Sequence, residues 1–226
     1  MTRLAAVKID RDYPRQKFLQ LLDSISVEKK ERILRFRQYP DALRGLIGEL
    51  LLHFMLDRFD SVDSADRSVR MNEFGKPFFE FIKDVHFNIS HSGDWVVCGI
   101  SRQPIGVDVE EIGEIPADVT GRYFTSEEVE QIPAGRGAES EKRFYQIWTL
   151  KESYIKMEGQ GLSIPLDSFS IQISEKNSIG VKIRGEESKS HYFRSYYPDQ
   201  THILSACSLQ EFKDVGLQFI GINEIM

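Results

Sequence analysis

The strongest constraint on the fold is a run of apolar residues with helical spacing between residues 41 and 54. Its members recur every three or four positions: Leu43, Leu46, Ile47, Leu50, Leu51 and Phe54. This spacing places them on one face of an α-helix, and so apolar a face has to be buried. We therefore predict a core helix that begins near Asp41, with Pro40 ending what precedes it and Arg44 in its first turn.

Short segments of strand-like composition lie on both sides of this helix. They occupy residues 4–9, 86–90, 95–100 and 104–110 and, after a second long helix predicted over 141–158, residues 169–173, 181–183, 192–197 and 202–209. Turn residues between 90 and 95 predict that two of these strands form a hairpin. Because strands and helices are mixed without strict βαβ alternation, the pattern favours an α+β fold.

The charge balance limits the partners that the chain can bind. Its 226 residues carry 29 Lys and Arg against 35 Asp and Glu, a formal net charge of -6. This balance argues against binding to a nucleic-acid backbone or an anionic membrane. A charge at Lys8 interrupts the N-terminus before a signal-peptide apolar region can form, and no stretch approaches the ~18 apolar residues of a membrane span. We therefore expect a cytoplasmic location. In such a reducing compartment, Cys98 and Cys207 are expected to be small buried hydrophobic residues.

Two carboxylates lie two residues apart on the strand predicted over 104–110. Asp108 and Glu110 then point to one face, while Val107 and Val109 point to the other. Paired acids on a strand face repel each other unless a cation lies between them. An ordinary solvent-facing strand and a cation site are about equally good explanations of this pair alone.

A third acid lies on the helix predicted over 141–158. Trp148, Glu152 and Lys156 are spaced by four and share one helix face. A surface Glu-to-Lys pair is the commoner explanation of such spacing, but the tryptophan indicates partial burial. Asp108, Glu110 and Glu152 would together form an all-oxygen site of the kind that Mg²⁺ prefers.

Basic residues are concentrated in one short region of this acidic chain. They are Lys29, Lys30, Arg32, Arg35, Arg37 and Arg44. A solvated helix face explains most such charge runs, although Arg44 near a helix N-terminus would favour phosphate. Lys76 follows Gly75, which would let a ligand approach the backbone, but a simple turn also accounts for it. His91 lies between two serines and ahead of a turn.

Three segments closely resemble, in order and separation, the signature motifs of 4'-phosphopantetheinyl transferases. They are Phe87–Ser92 (FNISHS), Gly106–Glu110 (GVDVE) and Trp148–Lys156 (WTLKESYIK). Further similarity at 35–44, 75–77 and 159–169 extends the resemblance over most of the chain. It points to the surfactin-synthetase-activating type, the long monomeric class.

The resemblance implies an enzyme that transfers phosphopantetheine from coenzyme A to a serine of an apo carrier protein. It implies Mg²⁺ on Asp108, Glu110 and Glu152, and catalytic roles for Glu152, Lys156 and His91. The base that takes the serine proton would be either Glu152 or a metal-bound water. It also implies that the phosphates of coenzyme A are bound by Lys29, Arg32, Arg44, Lys76, Ser90, His91 and Lys156. The expected partners are peptidyl or acyl carriers of nonribosomal peptide, polyketide or fatty-acid synthesis, with no nucleic acid and no membrane.

The same resemblance implies the architecture. Two similar α+β halves, residues 1–104 and 105–226, would be related by a pseudo-twofold axis, with the active site in the cleft between them. Family precedent places carrier recognition at about residues 159–189.

Two other functions compete with this interpretation. A non-catalytic module that binds coenzyme A or a nucleotide would keep the phosphate-binding residues, but it would have no need for a complete set of metal ligands and base. A Mg²⁺-dependent nucleotidyl or phosphoryl transferase with a small-molecule acceptor would need no protein partner, and no Walker-type glycine loop supports it.

Overall fold

The structure, a computed structural model, describes residues 1–59, 66–174, 178–213 and 215–225. Within these ranges the α-helices are α1 Arg15–Leu22, α2 Val27–Leu34, α3 Tyr39–Asp57, α4 Val119–Tyr123, α5 Ser126–Val129 and α6 Ala138–Glu158. The strands are β1 Thr2–Lys8, β2 Val69–Met71, β3 Pro77–Phe79, β4 His86–Ser92, β5 Trp95–Ser101, β6 Ile105–Glu111, β7 Phe169–Ile173, β8 Ile179–Ile183, β9 Glu186–Glu187, β10 Tyr192–Tyr196, β11 His202–Ser208 and β12 Leu217–Phe219. Mixed helices and sheets confirm the α+β class.

The first sheet has the strand order β12-β1-β5-β4, and α3 packs on one of its faces. The predicted hairpin is confirmed: β4 and β5 pair antiparallel from His86↔Ser101 to Ser92↔Trp95. Buried residues of α3, including Leu43, Leu46 and Ile47, form a core with the strands. The apolar stripe of the sequence is therefore the face of α3 that covers this sheet.

The second sheet has the strand order β10-β11-β6, and α6 packs against it. A separate apolar cluster joins the two sheets, because Leu4, Trp95 and Val97 pack with Val107 and Leu204. The paired acids of β6 therefore lie on a strand whose other face is fully buried between the sheets.

Apart from β12, the two sheets have matching strand orders. In the first, β1 precedes the long helix α3 and the hairpin β4–β5, and β5 lies in the middle. In the second, β6 precedes the long helix α6 and the pair β10–β11, and β11 lies in the middle. The C-terminal strand β12 then returns to the first sheet and pairs parallel with β1.

Two helix boundaries differ from the sequence-based expectation. Helix α3 begins at Tyr39, so Pro40 lies inside its first turn and Arg44 lies in the second turn. Proline fits there because N–H groups of the first turn have no helical acceptor. Helix α6 begins at Ala138, directly after Gly137, and ends before Gly159, which adopts the left-handed conformation at its C-terminus.

Two further expectations concern burial and membrane association. Cys98 and Cys207 are both buried and unpaired, as predicted. No helix of the described ranges combines the length and apolarity that crossing a membrane requires.

Candidate active site

The motifs at Gly106–Glu110 and Trp148–Lys156 meet because α6 packs directly on the backbone of β6. A Cβ atom at Gly106 would lie 2.0 Å from the carbonyl oxygen of Ser153, so a side chain at this position would push the helix away. A second contact joins Thr149 Oγ1 of α6 to Ser205 Oγ of β11 at 2.8 Å. This close approach brings Glu152 and Lys156 beside Asp108.

Lys156 bonds to Asp108 rather than to Glu152, its neighbour on the helix. Its Nζ lies 2.5 Å from Asp108 Oδ1 and donates to Ser90 Oγ at 3.1 Å. Ser90 in turn donates to Asp108 Oδ1 at 3.0 Å. The surface Glu-to-Lys pair considered above is therefore not what these side chains form, since Lys156 joins the helix to a buried acid on β6.

Burial raises the pKa of all three acids, and the charge of Asp108 raises the pKa of the other two further. Burial, followed by the charge of Asp108, raises the pKa of Glu110 to about 6. Burial and then Asp108 also raise the pKa of Glu152. The pKa of Asp108 is raised by burial, although Lys156 acts in the opposite direction. Buried acids whose charged forms are disfavoured in this way form a site that a cation would stabilise.

Further observations bear on whether the site fits a divalent cation. No three His, Cys, Asp or Glu side chains within the described ranges are already assembled as a metal-binding cluster. However, Asp108 Oδ2 is buried without a hydrogen-bond partner. A buried carboxylate oxygen left unpaired is costly, and an oxygen-preferring cation would satisfy it. The donor set of Asp108, Glu110 and Glu152 therefore fits Mg²⁺.

Lys76 contacts the C-terminal end of α6 and the start of β6. Its Nζ donates to the carbonyl oxygens of Met157, at 2.9 Å, and Ile105, at 3.2 Å. Burial lowers its pKa to about 8. The side chain therefore joins the 72–77 turn to the end of α6, and it also lines a pocket of about 230 Å³ that contains Glu152 and Lys156.

The basic residues of the N-terminal region separate into groups. Lys29 forms an ion pair with the buried carboxylate of Glu49, and Arg32 lies 3.7 Å from the same carboxylate. Both cations line a second cavity of about 840 Å³, beside Arg35 and Arg70. This cavity does not share residues with the pocket at Glu152.

Arg44 and His91 lie near the tip of the β4–β5 hairpin. Arg44 donates to the carbonyl oxygen of Gly93 at 2.8 Å and pairs with Asp41. Desolvation and then the charge of Arg44 lower the pKa of His91, which favours the neutral imidazole. Arg44 thus holds the turn that follows His91.

Sequence reasoning missed four side chains that hold this region in place. Glu49 anchors Lys29 and Arg32, while Asn88 and Ser92 bond to β6. Glu128 forms a fully buried ion pair with Lys151, next to Glu152. Two sequence features could have indicated them: Glu49 is an acid within an apolar helix, and polar residues alternate at 88, 90 and 92.

Two family profiles match the chain. Residues 104–207 match the 4'-phosphopantetheinyl transferase superfamily, and residues 13–102 match the N-terminal region of 4'-phosphopantetheinyl transferases.

Individual relatives extend this similarity to the full length. The chain is 34% identical over 224 residues to 4'-phosphopantetheinyl transferase Sfp of Bacillus subtilis strain 168, covering 99% of this chain and 100% of that protein. It is 35% identical to 4'-phosphopantetheinyl transferase gsp of Aneurinibacillus migulanus, covering 92% and 86% of the two chains. It is also 29% identical to the mouse L-aminoadipate-semialdehyde dehydrogenase-phosphopantetheinyl transferase, covering 84% and 69%.

Proposed function

The chain belongs to the 4'-phosphopantetheinyl transferase superfamily, and on this premise we propose that it transfers the phosphopantetheine arm of coenzyme A to a serine of an apo carrier protein. The observation that carries the proposal is the cluster of Asp108, Glu152 and Lys156, which the packing of α6 on β6 brings together. The relatives reported above all have transferase names, so they give no support to a non-catalytic binding module.

The reaction exchanges one phosphorus–oxygen bond for another. The serine Oγ of the carrier bonds to the phosphorus of the phosphopantetheine group, and the bond from that phosphorus to the bridging diphosphate oxygen breaks. The electron pair remains on the leaving adenosine 3',5'-bisphosphate. We propose that Glu152 accepts the proton of the serine hydroxyl, because its raised pKa makes it a better proton acceptor than an ordinary glutamate.

Charge at the leaving oxygen has to be neutralised as the bond breaks. Asp108, Glu110 and Glu152 would hold Mg²⁺, which supplies electrostatic stabilisation to the diphosphate when bound. The ammonium of Lys156 already lies 2.5 Å from Asp108 Oδ1, so it is placed to interact with the same diphosphate. We propose that Lys156 contacts the diphosphate from its place beside Asp108.

Basic and polar residues around this centre would hold the other phosphates of coenzyme A. We propose Lys29, Arg32, Arg44, Lys76, Ser90 and His91 for this role, with His91 also contributing to catalysis. Lys29 and Arg32 are positioned by Glu49 in the lining of a separate cavity. Lys76 donates two of its three ammonium hydrogens to backbone carbonyls, which leaves the third for a phosphate contact.

The matching strand orders of the two sheets support a proposed architecture of two similar halves about a pseudo-twofold axis. We place the halves at residues 1–104 and 105–226, and the two family matches, which end at 102 and begin at 104, support that boundary. The exception is β12, which belongs to the first sheet. The active site would then lie where β4 of the first half meets β6 of the second.

The remaining assignments concern the partners and the location. We propose that the enzyme is a cytoplasmic monomer and that the carrier docks against about residues 159–189, of which 175–177 lie outside the described residues. Leu162, at 80% exposure, and Phe74 line the pocket at Glu152 and give that region an apolar surface.

The test is intact-mass spectrometry of apo carrier proteins incubated with the enzyme, coenzyme A and Mg²⁺. A chelator, Glu152→Gln and Asp108→Asn serve as controls, because the two variants keep the shape of each side chain and remove its charge. We expect a mass gain of one phosphopantetheine with the wild type only.

The alternatives give different results in the same assay. Retained binding of coenzyme A without any mass gain, across peptidyl and acyl carriers, would support the binding module. Full activity in the chelator would contradict the magnesium site, and wild-type activity of Asp108→Asn would remove Asp108 from it.

A further inference from the structure

The edge of β6 that faces β4 is bonded by side chains rather than by another strand backbone. Asn88 Oδ1 accepts from Val107 N at 2.8 Å, and Ser90 Oγ accepts from Val109 N at 3.4 Å. Ser92 Oγ accepts from Glu111 N at 3.2 Å. Three alternate residues of β4 therefore satisfy three alternate N–H groups of β6, in the spacing of a β-ladder.

Two of these side chains also donate to the acids that β6 presents. Ser90 donates to Asp108 Oδ1 at 3.0 Å, and Ser92 donates to Glu110 Oε2 at 2.8 Å. A serine hydroxyl has one hydrogen. In Ser92 that hydrogen is directed to Glu110, because the Glu111 N–H occupies the acceptor side.

We infer that Ser92 is a positioning residue for Glu110, and that its hydroxyl fixes one carboxylate oxygen so that the other is presented to the divalent cation. The same arrangement at Asp108 supports this inference: Oδ1 is held by Ser90 and Lys156, while Oδ2 is buried and unpartnered. No hydrogen bond from the described residues reaches Glu110 Oε1.

The backbone of Ser92 is itself firmly held, as a positioning role requires. It pairs with Trp95 across the hairpin, and the next residue, Gly93, accepts a hydrogen bond from Arg44 at 2.8 Å. Groups that orient metal ligands in this way change metal affinity or activity about 10–100-fold when removed. The inference rests on the proposed magnesium site and adds a residue to it.

The experiment measures Mn²⁺ binding to the whole protein by electron paramagnetic resonance at one fixed pH, without coenzyme A or carrier. We expect Ser92→Ala to weaken Mn²⁺ binding about 10-fold or more. Ser92→Thr, which keeps the hydroxyl, should remain close to the wild type. Ser101→Ala is the matched control, because it removes a buried hydroxyl from β5 at the far end of the same hairpin.

A kinetic measurement separates positioning from general structural support. Ser92→Ala should need a higher Mg²⁺ concentration for half-maximal transfer, while its KM for coenzyme A at saturating Mg²⁺ stays unchanged. If Ser92→Ala does not fold, Ser92→Cys decides instead, because its thiol fills similar space and is a weak donor.

Unchanged Mn²⁺ affinity in Ser92→Ala would overturn the inference, as would an equal loss in Ser92→Thr. These results are independent of the proposed transfer reaction. If the wild type transfers phosphopantetheine and Ser92→Ala binds Mn²⁺ as tightly as the wild type, only the role of Ser92 is refuted. A wild type that modifies no carrier refutes the proposed function, and the Mn²⁺ titration still decides the role of Ser92.

Discussion

The buried ion pair between Lys151 and Glu128 provides a prediction about stability that does not depend on the proposed reaction. Both side chains are 0% exposed, and Lys151 Nζ donates to both Glu128 oxygens, at 2.6 and 2.7 Å, and to the carbonyl oxygen of Phe169 at 3.0 Å. Glu128 also accepts from the backbone N–H groups of Thr125 and Ile171. The pair thus joins α6, α5 and β7 directly beside the proposed catalytic Glu152.

Lys151→Met removes the cation but keeps most of the apolar side chain. It leaves the Glu128 carboxylate buried with only the two backbone donors. Breaking a buried pair from one side costs about 3–5 kcal/mol. For a chain of this length, 1 kcal/mol corresponds to about 2–4 °C in the unfolding midpoint, so we expect a decrease of roughly 6–20 °C.

The assay is thermal and urea unfolding of the wild type and matched variants. Lys182→Met is the control, because Lys182 pairs at 2.8 Å with the adjacent Glu127, where both side chains are partly exposed. Such a surface pair contributes about 0–1 kcal/mol. The double variant Lys151→Met, Glu128→Gln should lose less free energy of unfolding than the two single variants lose together, since no buried charge remains.

The refuting result is equally specific. If Lys151→Met costs no more free energy of unfolding than Lys182→Met, the buried pair does not hold α6 in place. Additive effects in the double variant would show that the two groups do not depend on each other.

Other predictions concern individual side chains. Lys76→Met should lower the free energy of unfolding by about 1–3 kcal/mol because two carbonyl groups lose their donor. An unchanged unfolding midpoint would show that these bonds contribute nothing to stability. An unchanged KM for coenzyme A would remove Lys76 from the phosphate site. Cys98 and Cys207 should resist a thiol reagent until the protein unfolds, since burial raises the pKa of both thiols; rapid labelling under native conditions would contradict their burial. Burial alone would raise the pKa of Asp199, but hydrogen bonds, first from Trp95 at 2.8 Å, hold it well below its usual range. A lowered carboxyl pKa contributes stability that is present above the unfolded pKa and is lost as pH falls, so Asp199→Asn should destabilise the protein more near neutral pH than in acid, and a pH-independent difference in urea unfolding would contradict this.

Much of the local structure follows from the sequence, because short-range periodicity determines it. The apolar spacing of α3, the turn residues of the β4–β5 hairpin and the four-residue spacing of Trp148, Glu152 and Lys156 were each sufficient to predict the element. The motif resemblance was enough to predict the family. The start of α3 was wrong because Pro40 was interpreted as a break, whereas a first helical turn accepts proline.

The contacts that complete the site were decided by the tertiary structure. Spacing alone paired Lys156 with Glu152, but the approach of α6 to Gly106 directs Lys156 to Asp108, 48 residues away in the chain. Likewise, the sequence shows alternating polar residues at 88, 90 and 92 and paired acids at 108 and 110, but not that the first set bonds to the second. That depends on β4 lying along the free edge of β6, a contact set by how the two sheets pack and not by the period of either strand. The sequence by itself determined which residues share a face of a helix or strand. Only the packed fold decided which side chains of other elements those residues contact.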